Sequence, residues 1–90
     1  MVKKMSKFPV LNTDEYSILT EYSKLTEEVQ EFIGATNKDN LVEEFFDVIQ
    51  VLVNIMDKNN LLDALPDGLD KHIDKMQSRN WDIKKWLGDE

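Results

Sequence analysis

KLTEEVQEF (residues 24–32) and EEFFDVIQVLVNIM (residues 43–56) decide the fold of this chain. Within each stretch, apolar residues recur at steps of three and four, which is the spacing of one face of an amphipathic helix. The connection between the two stretches is short enough to make their helices antiparallel neighbours. The second helix is apolar on two sides, so we expect it to contact more than one partner.

Each of these helices also carries two carboxylates three residues apart: Glu28 with Glu31, and Glu44 with Asp47. Residues three apart on a helix have Cβ atoms roughly 5–6 Å apart. If the helices pack antiparallel, the two pairs can form a cluster of four acids. Two like charges ~4 Å apart repel by about 4 kcal/mol at an effective dielectric near 20, so such a cluster needs a cation. Because carboxylates suit hard cations, we predict a Mg²⁺ site, with Mn²⁺ as a substitute.

The fold class predicted from these patterns is all-α, a helical bundle completed by homo-oligomerisation into a dimer or tetramer. Small domains without disulfides commonly gain stability in this way. We expect a single domain over residues 1–90, because the chain is short. Its predicted parts are a flexible arm (1–11), helix 1 (12–36, beginning at Asn12 or Thr13), helix 2 (39–59), helix 3 (69–80) and a tail (81–90) that docks through Trp81 and Trp86.

Composition excludes several classes of protein. The 18 acidic and 11 basic residues give a net charge of −7, which argues against binding nucleic acid through its phosphates. The absence of cysteine excludes disulfides, thiolate metal sites and cysteine nucleophiles. No apolar run approaches the ~18 residues of a membrane span, and the N-terminus does not resemble a signal peptide. We therefore expect a cytoplasmic protein with no membrane partner.

Other carboxylate sites fit the sequence less well. A ferritin-like di-iron bundle needs Glu-x-x-His on two helices, and His72 is the only histidine, with no glutamate at that spacing. An EF-hand loop from Asp57 would need Gly and Glu where Leu62 and Gly68 stand. A glycosidase pair would need a sugar cleft, which so small a helical domain does not obviously offer. The alternative to a metal site is an ordinary acidic surface exposed to solvent. That interpretation suits isolated acids such as Glu27 and Glu43.

The two carboxylate pairs and their apolar context resemble the MazG-like all-α nucleoside triphosphate pyrophosphohydrolase superfamily. Its hallmark is E-x-x-E on one helix and E-x-x-D on the next, matched by Glu28 to Glu31 and by Glu44 to Asp47. The similarity covers roughly residues 16–80. Lys24 corresponds to a lysine before the first motif, and Lys75 and Arg79 correspond to a later K-x-x-x-R.

The resemblance implies hydrolysis of a (d)NTP between its α and β phosphates, which gives a nucleoside monophosphate and pyrophosphate. It implies that the four acids hold Mg²⁺ and form the catalytic set, with Glu28 or Glu31 activating the attacking water. Lys24, Lys75 and Arg79 would bind the substrate. A relative that acts on phosphoribosyl-ATP shares the bundle, but the N-terminal segment here does not resemble that branch.

Two interpretations without catalysis stay open on the sequence alone. One is a helical dimer that keeps the fold and acts as an adaptor or regulator. The other is a bundle whose metal is only structural. All four motif carboxylates are present, which favours the enzyme. Base and sugar preference, and the choice between dimer and tetramer, are not determined by the sequence.

Overall fold

The computed structural model describes residues 7–88. This part of the chain contains three α-helices, α1 (Ile18–Ile33), α2 (Lys38–Lys58) and α3 (Leu65–Ser78), with a 3₁₀ turn at Leu62–Ala64 before α3. It contains no β-strand, so the all-α prediction is confirmed for these residues. None of the helices among them combines the length and the apolar character that a membrane crossing requires.

Helix α1 begins later than the predicted range of 12–36. Its N-cap is Ser17, whose side chain accepts a hydrogen bond from the Thr20 N–H at 3.1 Å. The expected caps serve a turn instead, in which the Tyr16 N–H donates to the Thr13 carbonyl and the Asp14 N–H donates to Asn12 Oδ1. Asn, Thr and Ser are all good caps, and packing elsewhere in the chain decides among them. Gly34 ends the helix.

Helix α2 follows after a four-residue connection, and its bounds are close to the predicted 39–59. The Asn37 side chain caps it by accepting from the Asn40 N–H at 2.9 Å. At the other end Asn60 takes a left-handed conformation with φ of 58°. The Leu61 N–H donates to the Met56 carbonyl, which is the Schellman arrangement that ends many helices.

Helix α3 begins four residues before the predicted range of 69–80. Pro66 and Gly68 are residue types that often mark turns, but both lie in the first turn of the helix. Proline is tolerated there because its missing N–H has no intrahelical partner to lose. The tail behaves differently from the prediction, since residues 81–88 form no helix and Trp81 and Trp86 are exposed. Residues 89–90 lie outside the described part.

The described chain divides into two compact units, and the assignment of residues 1–90 to a single domain stays a prediction. One unit is Pro9–Leu62, which contains α1 and α2; the other includes the chain from Asp63 onward, with α3. Within the first unit, α1 and α2 pack against each other. Val51 and Ile55 of α2 are its buried apolar residues, so the core lies toward the C-terminal half of that helix.

Residues 9–13 form a strap along α2, although residues 1–11 were predicted to be a flexible arm. Gln50 Nε2 donates to the Pro9 carbonyl at 2.9 Å, the Leu11 N–H donates to Asn54 Oδ1 at 3.2 Å, and Lys58 Nζ donates to the Thr13 carbonyl at 2.6 Å. The three α2 residues form a polar ladder, Gln50, Asn54 and Lys58, in which neighbours are four residues apart. The strap is therefore fixed through its main chain. Residues 1–6 lie outside the described part.

Candidate metal centre

The packing of α1 against α2 brings the two predicted carboxylate pairs together. One carboxylate oxygen from each of Glu28, Glu31 and Glu44 lies within 4.8 Å of the others. Ligand oxygens lie about 2.1 Å from Mg²⁺, so oxygens on opposite sides of one ion are about 4.2 Å apart. Small side-chain adjustments would bring the three oxygens into that range. Three of the four predicted ligands thus form a cluster of the right chemistry and size.

Two oxygens of this cluster are buried without a hydrogen-bond partner. They are Oε1 of Glu28 and Oε1 of Glu44, and both residues are half-buried. A buried polar atom without a partner costs about 1–3 kcal/mol, and a cation would remove that cost. The donor set therefore fits a hard divalent ion such as Mg²⁺ better than it fits an empty acidic surface.

The cluster also shifts the protonation of its own members. Burial raises the pKa of Glu28, and the negative charges of Glu31 and Asp47 raise it further. Burial likewise raises the pKa of Glu44, followed by the charges of Glu31 and Asp47. Like charges held together disfavour full ionisation. This electrostatic strain is what a bound cation would relieve.

Asp47 and Lys24 lie at the edge of the cluster. Asp47 is exposed, and its negative charge contributes to the raised pKa of Glu44. Lys24 is half-buried, and its positive charge lowers the pKa of Glu28, against the other influences. All four predicted acids and the predicted lysine of α1 therefore interact electrostatically.

Lys75 and Arg79 belong to the other compact unit. Lys75 lies in the last turn of α3 and Arg79 caps that helix; both are exposed. Their substrate-binding role stays a prediction.

The first unit also contains an apolar groove of about 380 Å³. It is lined by Phe32 of α1 and by Leu41, Val42, Phe45 and Phe46 of α2. The rings of Phe45 and Phe46 meet edge to face, with centroids 5.0 Å apart and an interplanar angle of 82°. Phe32 and Phe45 follow the apolar spacing of their helices, and that spacing does not reveal that they line an open groove.

Glu21 is the buried acid that pattern analysis missed. It is completely inaccessible to solvent, and neither of its carboxylate oxygens has a hydrogen-bond partner. It lies seven residues before Glu28, so the two share one face of α1 about 10.5 Å apart along the axis. The seven-residue spacing can be read from the sequence. It did not mark Glu21 as a candidate, because the predicted motifs are pairs of acids three residues apart and Glu21 has no such partner.

Comparison with known proteins adds no assignment. No protein-family model matches the chain, and neither a curated protein nor a solved structure does. The functional conclusion therefore rests on the residues themselves.

Proposed function

We propose that this protein is a Mg²⁺-dependent nucleoside triphosphate pyrophosphohydrolase of the MazG-like kind. It would cleave the bond between the α and β phosphates of a (d)NTP and release a nucleoside monophosphate and pyrophosphate. A cytoplasmic location accords with this substrate. The observation that carries the proposal is the meeting of Glu28, Glu31 and Glu44, with oxygens within 4.8 Å of one another, at the positions of the two motifs.

Glu28, Glu31 and Glu44 would hold the ion, with Asp47 completing the set from the exposed edge. Bound Mg²⁺ supplies Lewis-acid polarisation of the phosphate oxygens and neutralises their charge. An acidic protein can bind a triphosphate in this way, because the cation bridges two sets of negative oxygens. The net charge of −7 is thus compatible with an anionic substrate.

The carboxylates have a second task in the reaction. Water attacks the α-phosphorus, the bond to the bridging oxygen breaks, and pyrophosphate leaves with the bonding electron pair. Glu28 or Glu31 is suited to accept the proton of that water, because each carboxylate would hold the ion through one oxygen and keep a second oxygen free to act as base.

Basic residues complete the proposed site. Lys24 lies close enough to Glu28 to lower its pKa, and it would contact a phosphate once the substrate arrives. The family resemblance alone assigns Lys75 and Arg79 to the developing charge on the β and γ phosphates. Arginine suits this role because its planar fork matches phosphate oxygens.

We also propose that the active form is a homodimer or a homotetramer. Large apolar side chains stay exposed on both helices of the first unit: Leu19 is 73% and Ile33 is 75% exposed on α1, and Leu52 is 40% exposed on α2. Isolated exposed apolar residues are ordinary, but three on one helix pair support an interface. Sedimentation equilibrium of the wild type and of Leu52→Asp tests this, and a monomeric wild type would contradict it.

The test of the enzyme is pyrophosphate release from a panel of NTPs and dNTPs with Mg²⁺. We expect Glu44→Gln to lower kcat/KM at least about 100-fold, because loss of even a residue that only supports a metal ligand commonly costs 10–100-fold. Glu43→Gln is the matched control, since Glu43 is the exposed neighbour on the same helix, and it should keep wild-type activity. Both variants should keep the wild-type circular dichroism spectrum.

The outcomes separate the competing functions. Release of no pyrophosphate by the wild type from any nucleotide would favour the adaptor or regulator. If EDTA lowers the melting temperature of a protein that shows no turnover, the metal is only structural. Equal loss in Glu43→Gln and Glu44→Gln would contradict the assigned site.

A further inference from the structure

We propose that Glu21 is a positioning residue of the metal centre, whose buried carboxylate receives the ammonium group of Lys24 when a divalent ion displaces that group from Glu28. This inference deepens the proposed function and rests on it, since it takes the carboxylate cluster to bind the ion. Glu21 itself touches neither the ion nor the substrate. It keeps Lys24 beside the cluster until a phosphate arrives.

The first support is the state of the Glu21 side chain. It is completely inaccessible to solvent, and both of its carboxylate oxygens lack a hydrogen-bond partner. Buried charges in proteins are normally paired, because an unpaired charge out of water is far more costly than an unpaired neutral group. A carboxylate in this state is ready to accept a cationic partner.

The second support is that one base of the first unit remains available to Glu21. That unit contains three bases, Lys24, Lys38 and Lys58. Lys58 already donates to the Thr13 carbonyl at 2.6 Å. Lys38 begins α2, which the short connection places next to the end of α1, whereas Glu21 lies in the first turn of α1. Lys24 is therefore the candidate partner.

The third support is the position of Lys24 between two acids of the same helix. It comes three residues after Glu21 and four residues before Glu28. Side chains at either spacing are neighbours on a helix, and the flexible four-carbon stem of lysine lets its ammonium group reach both. In the structure the positive charge of Lys24 lowers the pKa of Glu28, while the oxygens of Glu21 have no partner.

A bound ion changes the balance between these two positions. A divalent cation held by Glu28, Glu31 and Glu44 attracts the same carboxylate that attracts Lys24, and it repels the ammonium group as a like charge. Glu21 then offers Lys24 the neighbouring acceptor. Lys24 thus offsets the repulsion within the cluster before the ion binds, and it offsets the buried charge of Glu21 afterwards.

The first experiment measures the Kd of Mn²⁺ for the whole chain, from the electron paramagnetic resonance signal of the free ion. Glu21→Gln keeps the shape of the side chain and removes its charge. We expect it to raise the Kd about tenfold, the lower end of the 10–100-fold cost of losing a residue that supports a metal site. The cause is that Lys24 then stays beside Glu28 and competes with the ion. Glu27→Gln is the control, because it makes the same charge change at an exposed position of α1.

A double-mutant cycle tests whether Glu21 acts through Lys24. Lys24→Met removes the competing ammonium group, so we expect it to lower the Kd of Mn²⁺. In that background Glu21→Gln should have no further effect, which makes the two changes non-additive. A purely structural role of Glu21, or a general loss of negative charge, would weaken binding equally with and without Lys24.

Two further measurements use Mg²⁺ and need no turnover. The carbon-13 resonance of the Glu21 carboxylate should shift when Mg²⁺ is added to the wild type, and it should stay in place in Lys24→Met. Glu21→Met is a second variant in case Glu21→Gln folds poorly. Mg²⁺ should raise its Tm by less than it raises the Tm of the wild type.

The outcomes separate this inference from the proposed function. Failure of the wild type to bind Mn²⁺ would reject the metal centre and the inference together. Binding with an unchanged Kd in Glu21→Gln would overturn the inference and leave the metal centre in place, and so would additive effects of Glu21→Gln and Lys24→Met. A wild type that shows the coupling but releases no pyrophosphate would retain the inference and reject the enzyme.

Discussion

The polar residues in the two halves of α2 differ in whether their side chains have hydrogen-bond partners. In the N-terminal half, Glu44 is half-buried with an oxygen that lacks a partner. In the C-terminal half, Gln50, Asn54 and Lys58 all donate to or accept from the strap, beside the buried Val51 and Ile55. One helix thus supplies satisfied polar groups at one end and unsatisfied ones at the other.

This difference separates stability from proposed chemistry. Satisfied buried polar groups rigidify a fold, whereas groups that bind a ligand must be left incomplete until it arrives. Sites of this kind commonly cost stability. Glu21 is the exception to the division, because it lies on α1 outside the cluster and yet has no partner.

The largest expected effect on stability comes from removing hydrogen bonds between the strap and the C-terminal half of α2. Asn54→Ala removes the acceptor of the Leu11 N–H and of Gln50 Nε2, and Asn54 is only 4% exposed. We expect the free energy of unfolding to fall by about 2–3 kcal/mol, because two hydrogen bonds to a buried side chain are lost, each worth about 0.5–1.5 kcal/mol. Urea unfolding measures this, with Asn40→Ala as the control because Asn40 is exposed on the same helix.

The next effect has the opposite sign. Glu21→Met replaces a fully buried acid without partners by an apolar side chain of similar length. We expect the free energy of unfolding to rise by about 1–2 kcal/mol, because an unmet polar group is removed. The exposed Glu27 offers the matched variant Glu27→Met, which should change stability by less than about 0.5 kcal/mol. Destabilisation by Glu21→Met would show that this carboxylate has a partner in solution.

The smallest expected effect on stability is the stabilisation by Mg²⁺, which should depend on pH. Glu28 and Glu44 have raised pKa values when folded, so the folded chain keeps their protons to higher pH than the unfolded chain does. Their contribution to stability is therefore present in acid and is lost as pH rises through the raised values. Mg²⁺ needs the deprotonated acids, so its stabilising effect should grow over the same interval.

Calorimetry with and without Mg²⁺ across that interval tests this linkage. At a free Mg²⁺ concentration ten times its Kd, binding adds about 1.4 kcal/mol, or roughly 6–11 °C in Tm for a domain of this size. Glu43→Gln should respond like the wild type, and Glu44→Gln should respond little. A Mg²⁺ effect that weakens as pH rises would contradict carboxylate ligation.

The sequence predicted the elements that periodicity controls. The bounds of α2 and the meeting of Glu28, Glu31 and Glu44 follow from apolar spacing and from a short connection, both of which are local. The start of α1 did not follow, because Asn12, Thr13 and Ser17 are all suitable caps, and the docking of residues 9–13 on α2 accompanies the choice of Ser17. Tertiary contacts override propensity in such cases.

The remaining differences also have physical causes. Pro66 and Gly68 are ambiguous, since both residue types are common in turns and proline is also tolerated in the first turn of a helix. The burial of Glu21 depends on which residues cover one face of α1. The spacing of apolar residues in the sequence does not predict that coverage. The groove depends on exposure as well, because Phe45 follows the same spacing whether it is covered or open.

The strap on α2 has a consequence for how the sequence can vary. Neighbouring residues of the ladder are four apart on α2, so they are separated by ~6.0 Å along the helix axis. They bind strap residues that are two apart, which must therefore span the same distance. Two residues of fully extended chain span ~6.6 Å, so the strap is nearly extended. Pro9, Leu11 and Thr13 contribute only main-chain atoms to these bonds. The side chains of this segment can therefore vary, but its length cannot. Deleting one residue would shift the main-chain atoms that follow away from their partners on α2.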